Sequence, residues 1–276
     1  MTDFTEGKGN LNQSLNQCRA LFISDVHLGY KDCRADFLLD LLDRVSFSTL
    51  YLVGDIVDIW SLKKRVYWPD LHQKLLTRLL ELPKQGVRVV YIPGNHDEAM
   101  RKFLHLSVNH IEIYQEFEHQ TSKGQKLLLL HGDAFDSIVC GAPLMSWLGD
   151  QLYDLLLFLN RWFNRMRRVL GKPYWSLAGN IKRKVSKAQC YIVRYKSTVT
   201  QFAHIKGYDG VVCGHIHHPD LDKTAYGLYA NCGDWIENCT CLIENQWGDI
   251  ELIHWADHKQ LLTRHEFDNE IPQRAA

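Results

Sequence analysis

Eight polar residues stand in five short clusters along the chain: Asp25 with His27, Asp55, Asn95 with His96, His131, and His215 with His217. Carboxylate, carboxamide and imidazole groups are oxygen and nitrogen donors, suited to manganese, iron, zinc or magnesium rather than to a soft thiolate site. Taken singly, each has an ordinary reading, since a lone Asp after a strand is commonly a turn residue and a lone His a surface or core group. Their joint occurrence is what points to a metal centre. Alternate residues on an extended segment face one side, so Asp25 and His27 are expected to point together, as are His215 and His217.

Each cluster follows a segment that reads as a strand. Ala20 to Ser24, Thr49 to Val53, Val87 to Ile92, Lys126 to Leu130 and Gly210 to Cys213 are short apolar runs rich in β-branched and aromatic residues. Helical spacing over Asp36 to Leu42 and Leu71 to Leu82 separates the first three. Strand and helix in alternation predict an α/β fold with a largely parallel sheet, whose ligands gather at the carboxyl ends of the strands. In the second half, Leu228 to Ala230, Cys239 to Glu244 and Asp249 to Trp255 read as short antiparallel strands closing a second sheet. The helical excursion from about 140 to 197 is too long for a crossover and is expected to be either a functional insertion, such as a lid, or a separate helical cap. The domain is thus expected over 19–256, with polar tails at 1–18 and 257–276.

Composition narrows the class. Of 276 residues 46% are hydrophobic and 23% charged, with 32 Lys+Arg against 32 Asp+Glu, which is ordinary for a globular chain and excludes disorder and low complexity. A zero balance argues against a protein that coats nucleic acid by bulk electrostatics. The eight Cys include no Cys-x-x-Cys pair and the first seventeen residues show no apolar leader, so free thiols in a reducing cytoplasm are expected. The most apolar helical stretch, Trp147 to Leu170, is interrupted by Asp150, Asp154, Arg161 and Arg165, too many charges for a membrane span.

In order, the clusters read Asp25-Val26-His27, Gly54-Asp55, Gly94-Asn95-His96-Asp97, His131 and Gly214-His215-Ile216-His217. This series resembles the calcineurin-like metallophosphoesterase superfamily over roughly residues 20 to 256. The resemblance implies a four-layer α-β-β-α sandwich, here with a helical lid. It also implies two divalent ions, manganese foremost, that activate water and clamp phosphoryl oxygens for in-line attack. One ion would be held by Asp25, His27, Asp55 and His217, the other by Asp55, Asn95, His131 and His215, with Asp55 shared. His96 is then expected over the phosphorus as the catalytic group, and Asp58 as the acid that orients it. The plainer reading of Asp58 is a solvated turn carboxylate.

Phe22 to Gly29, Gly54 to Trp60, His131-Gly132-Asp133, Gly214 to Pro219 and Asn231 to Trp235 are similar to the UDP-2,3-diacylglucosamine pyrophosphatase branch of that superfamily. The resemblance implies cleavage of a nucleotide-linked lipid to lipid 1-phosphate and UMP in lipid A biosynthesis, at the inner face of a Gram-negative bacterium's inner membrane. The best-known enzymes of the branch carry Arg where this chain has His96, which groups the chain with relatives that keep histidine. Between Gly141 and Ala188 nine basic residues face two acidic ones, on a segment whose Leu148, Leu152, Leu155, Leu159 and Trp162 recur at helical spacing. Such a lid suits an acyl chain, a diphosphate and peripheral contact with anionic lipid; an ordinary packing helix with a solvated basic face is the plainer alternative. Lys182, Arg183 and Lys187 are the candidates for substrate phosphates, and Ser176 and Asn180 for the sugar. The competing functions are a phosphodiesterase or phosphatase for a soluble substrate, and a scaffold that has lost catalysis; the complete donor set speaks against the scaffold, and no base-reading motif points to nucleic acid.

Overall fold

The computed structural model describes residues 18–140, 160, 162–171, 186–256 and 259–266. The apolar runs of the first half form β1 (Cys18–Ile23), β2 (Phe47–Val53) and β3 (Arg88–Ile92). They lie parallel and adjacent, with Phe22 opposite Tyr51 and Tyr51 opposite Val90. Period-two alternation sorts their side chains. Leu21 and Ile23 pack outward with Leu38, Leu41 and Leu42 of α1 (Ala35–Arg44) and Leu75 and Leu79 of α3 (Asp70–Glu81). Ala20 and Phe22 face the opposite way. A short helix, α2 (Ile59–Lys64), follows β2, and beyond β3 the sheet continues with β5 (Ile111–Ile113), parallel to β3, and β4 (Ser107–Val108), antiparallel to β5.

The second sheet has the order β6-β7-β8-β10-β9, from β6 (Phe117–Gln120), β7 (Lys126–Leu129), β8 (Gly210–Cys213), β9 (Asp220–Thr224) and β10 (Gly227–Asn231). Its inner face, with Leu127, Leu129, Val212 and Ala230, packs on Phe22, Tyr51 and Val90 of the first sheet. Its outer face, with Leu128, Val211 and Tyr229, packs on Tyr195, Val199 and Ala203 of a long helix, Ser186–Ile205. Helix, sheet, sheet and helix therefore stack in four layers, as the resemblance implies.

Three boundaries differ from the reading of the sequence. Of the three late segments only the first, β10, joins the second sheet, where it lies between β8 and β9 and runs parallel to β8 rather than antiparallel. β11 (Thr240–Glu244) and β12 (Ile250–Trp255) are antiparallel, but they extend the first sheet beside β1. Cys241, Leu242 and Ile243 are apolar on both faces and fully buried, so β11 needs an interior place in the larger sheet. β13 (Lys259–His265) pairs with β12, within the segment expected to be a tail. It is a largely exposed edge strand, so burial periodicity gave no mark of it. Finally, the helix expected to end near residue 197 continues to Ile205, and its buried second half belongs to the outer layer of the sandwich rather than to a cap. Among the described residues, no helix is long and apolar enough to cross a membrane, and seven cysteines are free thiols.

Candidate metal centre

All five clusters meet at one end of the two sheets, on loops just beyond β1, β2, β3, β7 and β8. The loops are pinned to one another by backbone bonds: Asp25 N–H to Gly54 O (3.0 Å), His27 N–H to Asp55 O (2.9 Å) and Gly214 N–H to His131 O (3.1 Å). Asp25, His27, Asp55, His215 and His217 all have left-handed backbones, with φ between 50° and 70°. Such conformations cost about 1–2 kcal/mol each for a residue with a Cβ, and they mark a site that the surrounding fold over-determines. Asp25 and His27 share one set of donors, their Oδ1 and Nε2 4.0 Å apart, whereas His215 and His217 go to two different sets. The cause in both pairs is this repeated left-handed turn, with Val26 and Ile216 buried between them, and not the alternation of an extended strand. The loops also come unusually close. A Cβ on Gly54 (φ +85°) would lie 2.1 Å from His131 Nδ1, and one on Gly94 would lie 2.2 Å from Asp55 Oδ1.

Two donor sets adjoin, and ligand-capable atoms of each lie within 4.8 Å of one another: Asp25, His27 and His217, and Asp55, His131 and His215. In the first, His27 Nδ1 lies 3.2 Å from Asp58 Oδ2. Its Nε2 faces His217 Nε2 at 3.3 Å. His217 Nε2 in turn lies 3.2 Å from Asp25 Oδ1, a buried oxygen that accepts no hydrogen bond. In the second, His131 Nδ1 donates to Val53 O at 2.9 Å, leaving Nε2 before Asp55 Oδ2 (3.3 Å) and Asn95 Oδ1 (3.2 Å). Asp55 also stands 3.9 Å from His27 Nε2 and so reaches both sets.

Imidazole nitrogens and carboxylate oxygens converge here, and the buried Oδ1 of Asp25 accepts no hydrogen bond. Bound divalent metal would satisfy this arrangement, and the hard oxygen and imidazole donors suit such an ion. Electrostatics agree. Burial opposes charge on Asp25, yet the neighbouring His217 and His131 bring its pKa down to about 2. Burial likewise opposes charge on Asp55, and His131, His27 and His96 still hold it well below the ordinary carboxylate value.

His96 lies beside the first set, its ring centroid 4.6 Å from that of His27. Its Nδ1 is 3.1 Å from Asp58 Oδ1, and its ring packs on Trp60 at 4.4 Å. Asp58 is no solvated turn residue, being 2% exposed. It caps α2 by accepting from Ser61 N–H (2.7 Å) and touches both His27 and His96. His96 also forms a third trio of ligand-capable atoms with His27 and Asp55, and Asp58 holds its Nδ1 just as it holds that of His27, so the division between ligand and catalytic group comes from the resemblance and not from this geometry.

Two acids behind the site received no role from the sequence. Asp97, fully buried, accepts from Gly94 N–H (2.6 Å), Ile56 N–H (2.7 Å), Asp55 N–H (3.3 Å) and the Tyr91 hydroxyl, tying the β2 loop to the β3 loop. Burial, then the charge of Asp55, pushes its carboxyl above the ordinary value. Asp234, also fully buried, accepts from Ile236 N–H (2.8 Å) and Asn238 N–H (3.2 Å) and stands 4.0 Å from His217 Nδ1. Both lay inside quoted motifs, Gly94 to Asp97 and Asn231 to Trp235. The available signal was an acid in a motif with no chemistry left to assign to it.

Of the lid candidates, Ser176, Asn180, Lys182 and Arg183 lie outside the described residues, and at Lys187 only the backbone is described, in the first turn of Ser186–Ile205. A cavity of about 870 Å³ opens between the loop after Gly29 and helical residues 162–169, lined by Lys31, Arg34, Leu71, Trp162, Arg165 and Arg168 among others. Basic, acidic and apolar groups share its wall, with Asp32 and Asp36 among the lining and Arg34 paired to Asp36.

Residues 18–219 match the family model described as calcineurin-like phosphoesterase. The chain is similar to the UDP-2,3-diacylglucosamine hydrolase of Edwardsiella ictaluri, with 27% identity over 232 residues covering 78% of this chain and 84% of that protein. The protein of the same name from Aliivibrio fischeri is 23% identical over 219 residues, covering 72% and 82%. Among solved structures, Yfce, a phosphoesterase from E. coli, aligns with 89% of this chain and 97% of its own, with a TM-score of 0.45 and 16% identity.

Proposed function

The chain belongs to the calcineurin-like phosphoesterase family and is a phosphoester hydrolase; on that premise we propose that it is a two-metal pyrophosphohydrolase of UDP-2,3-diacylglucosamine or a closely related nucleotide-linked lipid, releasing UMP and a lipid 1-phosphate. The observation that carries the reading is the pair of adjoining donor sets sharing Asp55, with the Asp58-held His96 beside them. The substrate class is supported by relatives of that name matched over most of their length.

Asp25, His27, Asp55 and His217 would hold one ion, and Asp55, Asn95, His131 and His215 the other, manganese being the ion of choice. Bound there, divalent ions supply Lewis acidity that acidifies water and withdraws charge from phosphoryl oxygens. The chain's own residues do the rest. Asp55 sets the spacing of the two sets by reaching both. Asp58 fixes the His96 ring by accepting from Nδ1–H, which leaves Nε2 facing the site, where the imidazolium form would donate a hydrogen bond or a proton to the phosphoryl or leaving oxygen and the neutral form would accept one. Lys182, Arg183 and Lys187 are proposed for the diphosphate, and Ser176 and Asn180 for the sugar.

A peripheral position on an anionic membrane belongs to the same proposal. Lys63, Lys64 and Arg65 adjoin Val66 and Tyr67 on one exposed segment, and Arg165 and Arg168 adjoin Trp162 and Val169 on another, the mixture an interfacial contact uses.

The deciding experiment supplies Mn²⁺ to the purified full chain and compares UDP-2,3-diacylglucosamine with a generic phosphodiester. UMP from the lipid substrate, with little turnover of the diester, supports the reading. Turnover of the diester with no UMP released replaces it by a phosphodiesterase for a soluble substrate.

A further inference from the structure

Two of the proposed ligands are built alike. His27 turns Nδ1 to a fixed acceptor, Asp58 Oδ2 at 3.2 Å, and His131 turns Nδ1 to Val53 O at 2.9 Å. Each ring is thereby locked, with its other nitrogen left facing the carboxylates. His215 repeats the arrangement with the nitrogens exchanged: its Nε2 lies 2.8 Å from Asp136 Oδ2. A neutral imidazole that donates from Nε2 keeps its lone pair on Nδ1, and the backbone N–H of His215 is already fixed on Asp25 Oδ2 at 3.0 Å.

Asp136 lies outside the five sequence clusters. It opens a short helix, Asp136–Cys140, one turn after the His131-Gly132 corner. Its other oxygen accepts from the Tyr191 hydroxyl at 2.6 Å, and Tyr191 belongs to the long helix Ser186–Ile205. The next turn of that helix places Tyr195 with its ring 6.1 Å from Tyr191 and 6.3 Å from His215. An acid in the first turn of a helix is commonly there for the helix end. Here both oxygens are engaged by side chains from other parts of the fold.

We propose that Asp136 is a positioning residue which locks the tautomer and orientation of His215 for the ion shared by Asp55, Asn95, His131 and His215, and which Tyr191 anchors to the long helix. The helix that begins where the basic lid segment ends is thus joined to one of the two metal positions by a chain of two hydrogen bonds. The inference rests on the metal-centre reading above.

The test titrates metal-free, full-length protein with Mn²⁺ by calorimetry, alongside Asp136→Ala, Asp136→Asn and Tyr191→Phe. Two ions are expected to bind the unaltered protein. Asp136→Ala should weaken one of them about 10- to 100-fold and leave the other unchanged, with turnover recovered at high Mn²⁺. Asp136→Asn, whose amide oxygen still accepts, should fall between, and Tyr191→Phe should shift the same ion by about threefold. Should Asp136→Ala fail to fold, the other two variants decide. Unchanged affinity for both ions in the variants, or an equal loss for both, overturns the positioning role while leaving the metal centre intact. Failure of the unaltered protein to bind Mn²⁺ overturns the metal-centre reading itself, and this inference with it.

Discussion

Asp58 Oδ1 lies 3.1 Å from His96 Nδ1, and the same carboxylate reaches His27 Nδ1 with its second oxygen at 3.2 Å. One buried acid therefore steadies both the residue proposed to act on the phosphoryl group and a residue proposed to hold metal. Its charge is secured by those same partners. Burial opposes ionisation, but the hydrogen bonds from His27 and His96 and their charges hold Asp58 far below the ordinary carboxylate range.

Replacing either member should thus give different signatures. His96→Ala is expected to lower kcat by about 10²-fold or more with the bound manganese unchanged. Asp58→Ala should lower kcat comparably, weaken the ion beside His27, and cost about 1 kcal/mol for the lost cap of α2. Steady-state kinetics with metal analysis of the same samples checks this. An Asp58→Ala protein with full metal affinity and full turnover would show that its contacts have no functional weight.

Asp55 reaches both donor sets with one carboxylate. Asp55→Ala is accordingly expected to lose both ions, whereas Asn95→Ala should weaken only the ion held with His131. Elemental analysis after gel filtration reads the difference. Retention of two manganese ions by Asp55→Ala is incompatible with a bridging carboxylate.

Metal uptake should release protons. Burial disfavours charge on His27, but the Asp58 hydrogen bond and the charges of Asp55, Asp58 and Asp25 hold its pKa up at about 9. Burial is similarly outweighed at His131 by the charge and hydrogen bond of Asp55, which with Asp25 and Val53 O hold it at about 10. Both rings are therefore protonated at neutral pH in the metal-free protein and must lose that proton to coordinate, so Mn²⁺ affinity should rise with pH through the neutral range. The stability of the metal-free fold runs the other way. A histidine raised above its ordinary 6.5 contributes stability that is complete below that value and is lost as pH rises through 9 to 10. Calorimetry in buffers of different ionisation enthalpy counts the protons, and thermal melts of metal-free protein across this range follow the stability. Uptake without proton release near neutral pH contradicts the assignment of these rings as ligands.

Asp97 should matter for the fold as well as the site. Its carboxylate holds buried backbone N–H groups of Gly94 and Ile56 and the Tyr91 hydroxyl. Asp97→Ala strands those donors, at a cost of about 3 kcal/mol or more, and frees the two loops that carry Asp55 and Asn95. A fall in the urea midpoint together with weaker Mn²⁺ binding is expected. An unchanged midpoint would show that water replaces the carboxylate without loss.

The first half of the fold was legible because β1, β2 and β3 are buried on both faces and separated by helices with plain apolar spacing. β11 and β12 carried the same signal, yet pattern alone did not say which sheet they join. Buriedness is written in the side chains; the neighbour that provides it is not. β13 carried no signal, since its strand character comes from pairing with β12 rather than from burial. Asp136 and Asp97 went unassigned for a related reason, because their partners are distant loops that only folding brings near.

By itself the sequence determined the chemistry of the centre. Asp, Asn and His at five strand ends state the donor types and their order, because donor chemistry is a property of the residue; the sharing of Asp55 was only what the resemblance implied. Tertiary structure alone decided how those donors face one another. The left-handed backbones at Asp25, His27, Asp55, His215 and His217 turn paired side chains inward where an extended strand was expected to do so. Such conformations are unfavourable for each residue locally, so they persist only where neighbouring loops, Gly54, Gly94 and the buried acids over-determine them.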